Sequence, residues 1–320
     1  MFGPWSIFKD PELAVSLEDG VRAALGEGST LTVVKGSDVR ATIPGGIEAA
    51  VAAAAEADVV LLTVGESGDM SAESRSRVSI DVPEAQRALA EAVATTGKPV
   101  VVLLRNGRGM ELAGAINDAD AILVTWFLGS ESGNAIADLL FGDHAPTGRL
   151  PVSFPYRSGQ SPFYYAHKAT GRPSQPTDRE FTSKFQEVPH AALYPFGHGL
   201  TYGAVAYSAP RLSAETMDWN GRLAVSVTLS NSGARPASEV VQLYIRDRTA
   251  SITQPVRLLK RFERVDVPAG GSVEVSLPLS FADLQFLGED LKPVAEPGLF
   301  DVWLAPDAQA GEPVQFTLVR

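Results

Sequence analysis

An α/β unit, with a mainly parallel sheet covered by helices, followed by an all-β sandwich is the fold class this 320-residue sequence predicts. Three observations predict it. From residue 30 to about residue 155, short β-branched runs alternate with helical segments, the pattern of βαβ crossovers. After residue 215 period-2 segments take over, separated by Gly, Pro, Asn and Asp clusters. Between the two, Pro155 to Tyr207 is rich in Pro, Gly, Tyr, Phe and His, which suits an ordered connector better than a free linker. The expected organisation is therefore an α/β domain over 1–155, a connector over 156–207 and a β-sandwich over 208–320.

Each element has its own signal. "TLTVVKG" (Thr30–Gly36) reads as a strand from its β-branched content. "PGGIEAAVAAAAEAD" (Pro44–Asp58) is Ala-rich, opens on Pro-Gly and reads as a helix. "VVLLTVG" (Val59–Gly65) is continuously apolar, as a strand buried on both faces must be. "VPEAQRALAEAVATTG" (Val82–Gly97) carries Pro near its first turn and Gly beyond its end, the asymmetry of a helix. "KPVVVLLRNG" (Lys98–Gly107) and "DAILVTWF" (Asp120–Phe127) predict two more buried strands, and "SGNAIADLLFG" (Ser132–Gly142) a further helix. In the second half, Arg222–Gly233, Ser238–Asp247, Gly271–Ser280, Gly298–Pro306 and Val314–Arg320 read as sandwich strands.

Composition removes several function classes. With 45% hydrophobic and 20% charged residues the chain is neither disordered nor fibrous. A formal net charge of −11 argues against a nucleic-acid or anionic-membrane partner, which would need clustered Lys and Arg. The nearest basic cluster, "RLLKRFER" (Arg257–Arg264), suits a strand and its exit. No run of about 18 apolar residues is present to span a membrane. The opening "MFGPWSIFKDPELAVSLEDG" lacks the basic start and apolar core of a signal peptide. Cysteine is absent, so disulfides and thiolate metal sites are excluded. His144, His167, His190 and His198 form no HxH or HExxH pair, and no metal is expected. No GxSxG elbow, GxGxxG or GxxxxGK[ST] loop occurs, so neither a serine nucleophile nor a nucleotide cofactor is expected.

The one stretch that invites chemistry is "VGESGDMSAESRSRVSIDVP", Val64 to Pro83. It leaves the carboxyl end of a predicted parallel strand, where open α/β sheets present functional loops. It holds Glu66, Asp69 and Glu73 among Gly and Ser. A glutamate there can serve as a general acid. The residues alone favour three solvated acids neutralised by Arg75 and Arg77. Trp126, Phe127, Tyr164 and Tyr165 could stack on sugar faces or simply pack.

Several segments resemble glycoside hydrolase family 3 β-glucosidases of the bacterial periplasmic kind. They are "TWFLGSESGNAIADLLFGDHAPTGRLPVSFP" (Thr125–Pro155), "PFYYAHKATGRP" (Pro162–Pro173) and "ALYPFGHGLTY" (Ala192–Tyr202), then "EVVQLYIRD", "RLLKRFERVDVPAGGSVEVSLPLSFADL" and "VAEPGLFDVWLA". The last three match the family's fibronectin type III-like domain. Ser132 stands where a second Gly is common. The resemblance is collinear over nearly the whole chain. It implies a retaining, exo-acting hydrolase of β-glucosides or oligosaccharides that uses no cofactor. Its acid/base glutamate lies on the loop matching Val64–Pro83. By position before the "SR" and "I-x-x-P", that residue is Glu73, with Glu66 as runner-up.

The family's nucleophile is an aspartate from an N-terminal (β/α)8 barrel of about 250 residues. Only about 30 residues precede the first strand predicted here, and "GPWSIF" resembles the segment just after the first strand of the family's α/β domain. The resemblance therefore implies that the nucleophile and that first strand are not in this chain, which alone should be inactive. The partners it implies are a β-glucoside and a barrel domain or chain. The apolar surface expected to be bare without that barrel would also suit a second copy of this chain. The resemblance also implies a periplasmic or secreted location. A non-catalytic assembly or binding module is the alternative.

Overall fold

The computed structural model describes residues 2–8, 10–173 and 181–320. Met1, Lys9 and residues 174–180 of the expected connector lie outside the described residues. The chain divides into two compact units, Met1–His144 with Pro155–Ser161, and Ala145–Phe154 with Pro162–Arg320.

The first unit is built on a parallel sheet of β1 (Val60–Gly65), β2 (Val100–Arg105) and β3 (Ala121–Val124), in that spatial order. Val102 and Leu104 on β2 are fully buried and Leu103 nearly so, because the central strand is covered on both faces. Four helices accompany the sheet: α1 (Leu17–Ala24), α2 (Gly46–Glu56), α3 (Glu84–Ala94) and α4 (Ser132–Phe141). The crossover from β1 to β2 runs through α3, whose Ala85, Leu89, Ala90 and Val93 are buried.

Helix α1, only eight residues long, was not expected from the sequence although Leu17, Val21 and Ala24 recur at helical spacing. It starts from a capping box: the Ser16 hydroxyl accepts from the Asp19 amide at 3.1 Å, and the Asp19 carboxylate accepts from the Ser16 amide at 3.3 Å. The Ser16 side chain and then its amide hold the Asp19 carboxyl below its ordinary pKa. Helices α1 and α4 approach so closely that a Cβ on Gly133 would lie 1.9 Å from the Ser16 carbonyl oxygen, and one on Gly20 2.3 Å from the Gly133 carbonyl. Only glycine fits this crossing.

The strand expected at Thr30–Gly36 does not form. These residues make no ladder, and Val33 and Val34 are 57% and 38% exposed. The only bridge nearby among the described residues joins Ser37 to Thr42. β-branched content favours a strand only where a pleated neighbour covers it, and none does here.

The second unit is a sandwich. One sheet pairs β10 (Ser272–Ser280), β7 (Arg222–Asn231) and β4 (Val205–Tyr207), with β5 (Arg211–Leu212) also on β7. The other runs β6 (Thr216–Met217), β14 (Val314–Leu318), β13 (Gly298–Ala305), β8 (Ala237–Asp247) and β9 (Leu258–Val267). A small ribbon pairs β11 (Phe286–Leu287) with β12 (Pro293–Val294). On β7 the apolar Leu223, Val225, Val227 and Leu229 alternate inward. On its outer face Ser226 and Ser230 bond across to Ser276 and Ser272. One short helix, α5 (Phe281–Leu284), breaks the all-β run, capped by Ser280 through Asp283. The basic cluster falls on β9, and Arg257 before it lies 4.3 Å above the Trp303 ring.

Candidate active site

The loop after β1 begins at a glycine that tolerates no replacement. Gly65 has φ +132°, and a Cβ there would lie 1.8 Å from the Arg105 carbonyl oxygen. Gln86 of α3 clasps this point. It accepts from the Gly65 amide at 2.6 Å and donates to the Gly65 and Val39 carbonyls at 2.9 and 2.7 Å. The end of β1 is thereby fixed by a buried side chain 21 residues away in sequence.

The next residue, Glu66, is 3% exposed. Its carboxylate receives Arg77 Nη1 at 2.9 Å, Arg108 Nε at 3.1 Å and the Gly107 amide at 3.1 Å. A buried carboxylate needs such pairing to remain charged. Both guanidiniums reach onward. Arg77 donates to the Asp81 carbonyl at 2.9 Å. Arg108 Nη2 donates to the Met70 carbonyl at 2.6 Å and the Arg75 carbonyl at 3.2 Å.

The far end of the loop is tied down separately. Ile80 donates its amide to Ser158 Oγ at 3.0 Å, and that hydroxyl donates to Glu111 at 2.8 Å. Glu111 also accepts from the Ser158 amide at 2.7 Å.

Between these anchors the crest is open. Glu73, Ser74, Arg75 and Ser76 are exposed, and Val78 wholly so. Ser74 turns the chain in the left-handed region at φ +59°, uncommon for a residue other than glycine. Glu73 makes no hydrogen bond or ion pair with a described residue. Beside the crest lies a cavity of about 410 Å³ walled by Arg40, Asp69, Ser74, Arg75, Ser76 and Arg77, among others. In its wall, Asp69 is held below its ordinary pKa by the Ser67 hydroxyl and secondarily by Arg40 at 2.8 Å.

The three loop acids thus have three fates: Glu66 is sequestered, Asp69 is paired at the surface, and Glu73 is presented bare. Arg77 does neutralise a loop acid, namely Glu66. Gln86 and Arg108, which organise the loop, were missed by sequence reasoning. Arg108 lies 42 residues from Glu66, and nothing local marks it.

Of the remaining sequence candidates, Phe127 borders the loop, its Cε2 3.3 Å from a Cβ placed on Gly107, which would also meet Ser71. Phe127 packs beneath Gly3, and Trp126 adopts φ +50° just after β3. Tyr165 stacks on Phe196 at 4.3 Å, while Tyr164 is 61% exposed. His167 and His190 face each other at 6.1 Å, and burial followed by the His167 charge lowers the His190 pKa. His198 lies 3.8 Å from Asp307. No three His, Asp or Glu side chains converge among the described residues.

A buried carboxylate hub thus anchors the loop at the carboxyl edge of the parallel sheet, with Glu73 exposed on its crest and a polar cavity beside it. Comparison with known proteins gives the family. Residues 1–202 match the glycosyl hydrolase family 3 C-terminal domain, and residues 239–308 match a fibronectin type III-like domain. The chain belongs to glycoside hydrolase family 3 and corresponds to its C-terminal region.

Among relatives, a periplasmic β-glucosidase of Salmonella typhimurium is 38% identical, over 100% of this chain and 44% of its own. A β-xylosidase of Formosa agariphila is 35% identical, over 94% of this chain and 41% of its own. The crystal structure of a β-glucosidase from Listeria innocua in complex with isofagomine superposes with a TM-score of 0.92 at 34% identity, covering 99% of this chain and 44% of that one. The chain therefore spans somewhat less than half the length of these relatives.

Proposed function

We propose that this chain is the acid/base-bearing part of a retaining, exo-acting β-glucosidase, with Glu73 as the general acid/base. The observation that carries the reading is the contrast between the two glutamates. Glu66 has its carboxylate taken up by two arginines and an amide, while Glu73 stands exposed with no described partner. A proton donor must be able to reach the glycosidic oxygen, and a carboxylate saturated by buried cations cannot.

In this mechanism Glu73 protonates the departing oxygen while a carboxylate from a (β/α)8 barrel outside this chain attacks the anomeric carbon. Glu73 then takes a proton from the water that releases the sugar. Retention requires the two carboxyl groups about 5–5.5 Å apart, so the barrel must seat against this loop. Similarity to the Salmonella protein supports a periplasmic location and a terminal β-glucosyl substrate. The Formosa relative makes β-xylosides the first alternative substrate to test.

A second reading is an assembly or binding module that pairs with a barrel chain or with a second copy. It is favoured by the exposed apolar side chains Trp5, Ile7 and Phe8, which are 66%, 85% and 99% exposed.

The test is hydrolysis of an aryl β-glucoside by the chain alone and by the chain mixed with a barrel polypeptide. Turnover is expected only in the mixture, and Glu73→Ala should lower it, more for a poor leaving group than for a good one. Turnover by the chain alone that disappears in Glu73→Ala would sink the proposal. A monomer indifferent to the barrel polypeptide in light scattering would sink the second reading.

A further inference from the structure

We infer that Arg108 is a positioning residue for Glu73, an inference that rests on the reading of Glu73 as the acid/base. Arg77 ties the far side of the crest to Glu66 and the Asp81 carbonyl, and between Met70 and that arginine the turn bearing Glu73 has little else to hold its shape. From Ser71 to Ser79 every residue is exposed or half-buried, so apolar burial does not fix it. Its internal bond from the Arg75 amide to the Ala72 carbonyl closes a single turn at 3.1 Å. Arg108 supplies the missing constraint. Its Nη2 donates to the carbonyls of Met70 and Arg75, three residues before Glu73 and two after it.

The same guanidinium is itself held in place by Glu66 through Nε at 3.1 Å. Its side chain is 25% exposed and that of Glu66 is wholly buried, so the Nε pair forms out of water, where it is stronger, while the bond to the Arg75 carbonyl lies at the surface. The planar fork is what permits the arrangement. One edge faces the buried carboxylate while the far nitrogen spans two carbonyls. A lysine ammonium restores the charge beside Glu66 but cannot reach all three acceptors at once. Glu66 is thus the foot of the clamp, Arg108 its arm, and the Glu73 turn the object held.

The test uses Arg108→Lys and Arg108→Gln, with Glu73→Gln as a reference, read in two ways. Amide hydrogen exchange in this chain should quicken about tenfold or more at Met70 and Arg75 in both Arg108 variants, with β7 and β10 unchanged. In the complete enzyme with its barrel, both variants should lower kcat for poor leaving groups by about ten- to a hundredfold, good leaving groups less, with KM little altered.

Wild-type exchange at Met70 and Arg75 in both variants would overturn the clamp. So would full activity of Arg108→Lys, which would reduce the role to charge neutralisation. A leaving-group dependence in Glu73→Gln that neither Arg108 variant shares would overturn the positioning role while leaving Glu73 as acid/base. Absence of that dependence in Glu73→Gln itself would bring down the Glu73 reading, and with it this inference.

Discussion

The Glu66 carboxylate receives the Arg77 guanidinium at 2.9 Å with its own side chain wholly out of solvent. Glu73, four residues before that same arginine, touches no described partner. The loop therefore buries one carboxylate among cations and leaves the other at the surface. One glutamate is taken up by two arginines, and the other has no described partner.

This separation predicts opposite mutational profiles. Glu66→Ala leaves two half-buried guanidiniums facing an emptied site, and should cost about 3–5 kcal/mol of stability in the first unit. Glu73→Ala removes an exposed side chain and should change stability by less than about 0.5 kcal/mol. Denaturant unfolding of both variants decides. Equal losses would mean that Glu73 also has a structural role.

Gly65 gives a second prediction. Its φ of +132° and the 1.8 Å approach of a virtual Cβ to the Arg105 carbonyl leave no accommodation without parting β1 from β2. Gly65→Ala should cost about 4 kcal/mol or more. Hydrogen exchange would show loosening across β1 and β2 while β7 and β10 stay protected. A variant with native protection at Val64 and Leu104 would contradict the geometry.

How far the sequence disclosed these relations depended on the range of the interactions. The strands β1 to β3 announced themselves by continuous apolar runs, but only the central β2 is largely buried. Thr63 of β1 is exposed and β3 has no fully buried residue, because an outer strand of the sheet lacks cover that its own residues do not record. Thr30–Gly36 carries similar residue types but lacks a neighbouring strand, a fact that no local pattern records. Helix α1 was missed although Leu17, Val21 and Ala24 recur at helical spacing: over eight residues that pattern makes only two turns, and the interior Gly20 counts against a helix until its close packing on Gly133 is seen. The loop acids were located from the strand that precedes them. Which acid is buried depends on Gln86 and Arg108, residues brought there by the fold alone.

Arg105 offers a prediction of unusual sign. Burial pushes its guanidinium below the ordinary arginine pKa, and its Nε is buried without a hydrogen-bond partner among the described residues. No carboxylate pairs with it among those residues. Removing such a charge relieves a desolvation penalty, so Arg105→Met should be neutral or stabilise the first unit by up to about 2 kcal/mol. Thermal unfolding checks the sign. A loss above about 1 kcal/mol would show that the charge is compensated.

The sandwich makes a prediction about alkaline pH. Tyr244 is fully buried and donates to Gln242 Oε1 at 2.6 Å. Tyr207 is half-buried and donates to Glu239 at 3.2 Å, beside the Arg149–Glu239 pair at 2.8 Å. Burial, then the Glu239 charge, drives the Tyr207 pKa far above its ordinary value. Burial, then Tyr165 and Asp307, does the same for Tyr244.

The folded chain therefore keeps both phenols protonated where the unfolded chain releases the protons near pH 10. Between those limits the folded state binds more protons, so the slope of unfolding free energy against pH is negative. The stabilisation is complete below about pH 10 and is lost as pH rises beyond it, by up to about 1.4 kcal/mol per pH unit for each phenol. Urea titrations from pH 8 to 11.5 should show a plateau and then this decline. Tyr207→Phe and Tyr244→Phe should each flatten the decline, even though Tyr207→Phe lowers stability at pH 8 by unpairing one bond to Glu239. A decline of unchanged steepness in both variants would place the alkaline sensitivity elsewhere in the chain.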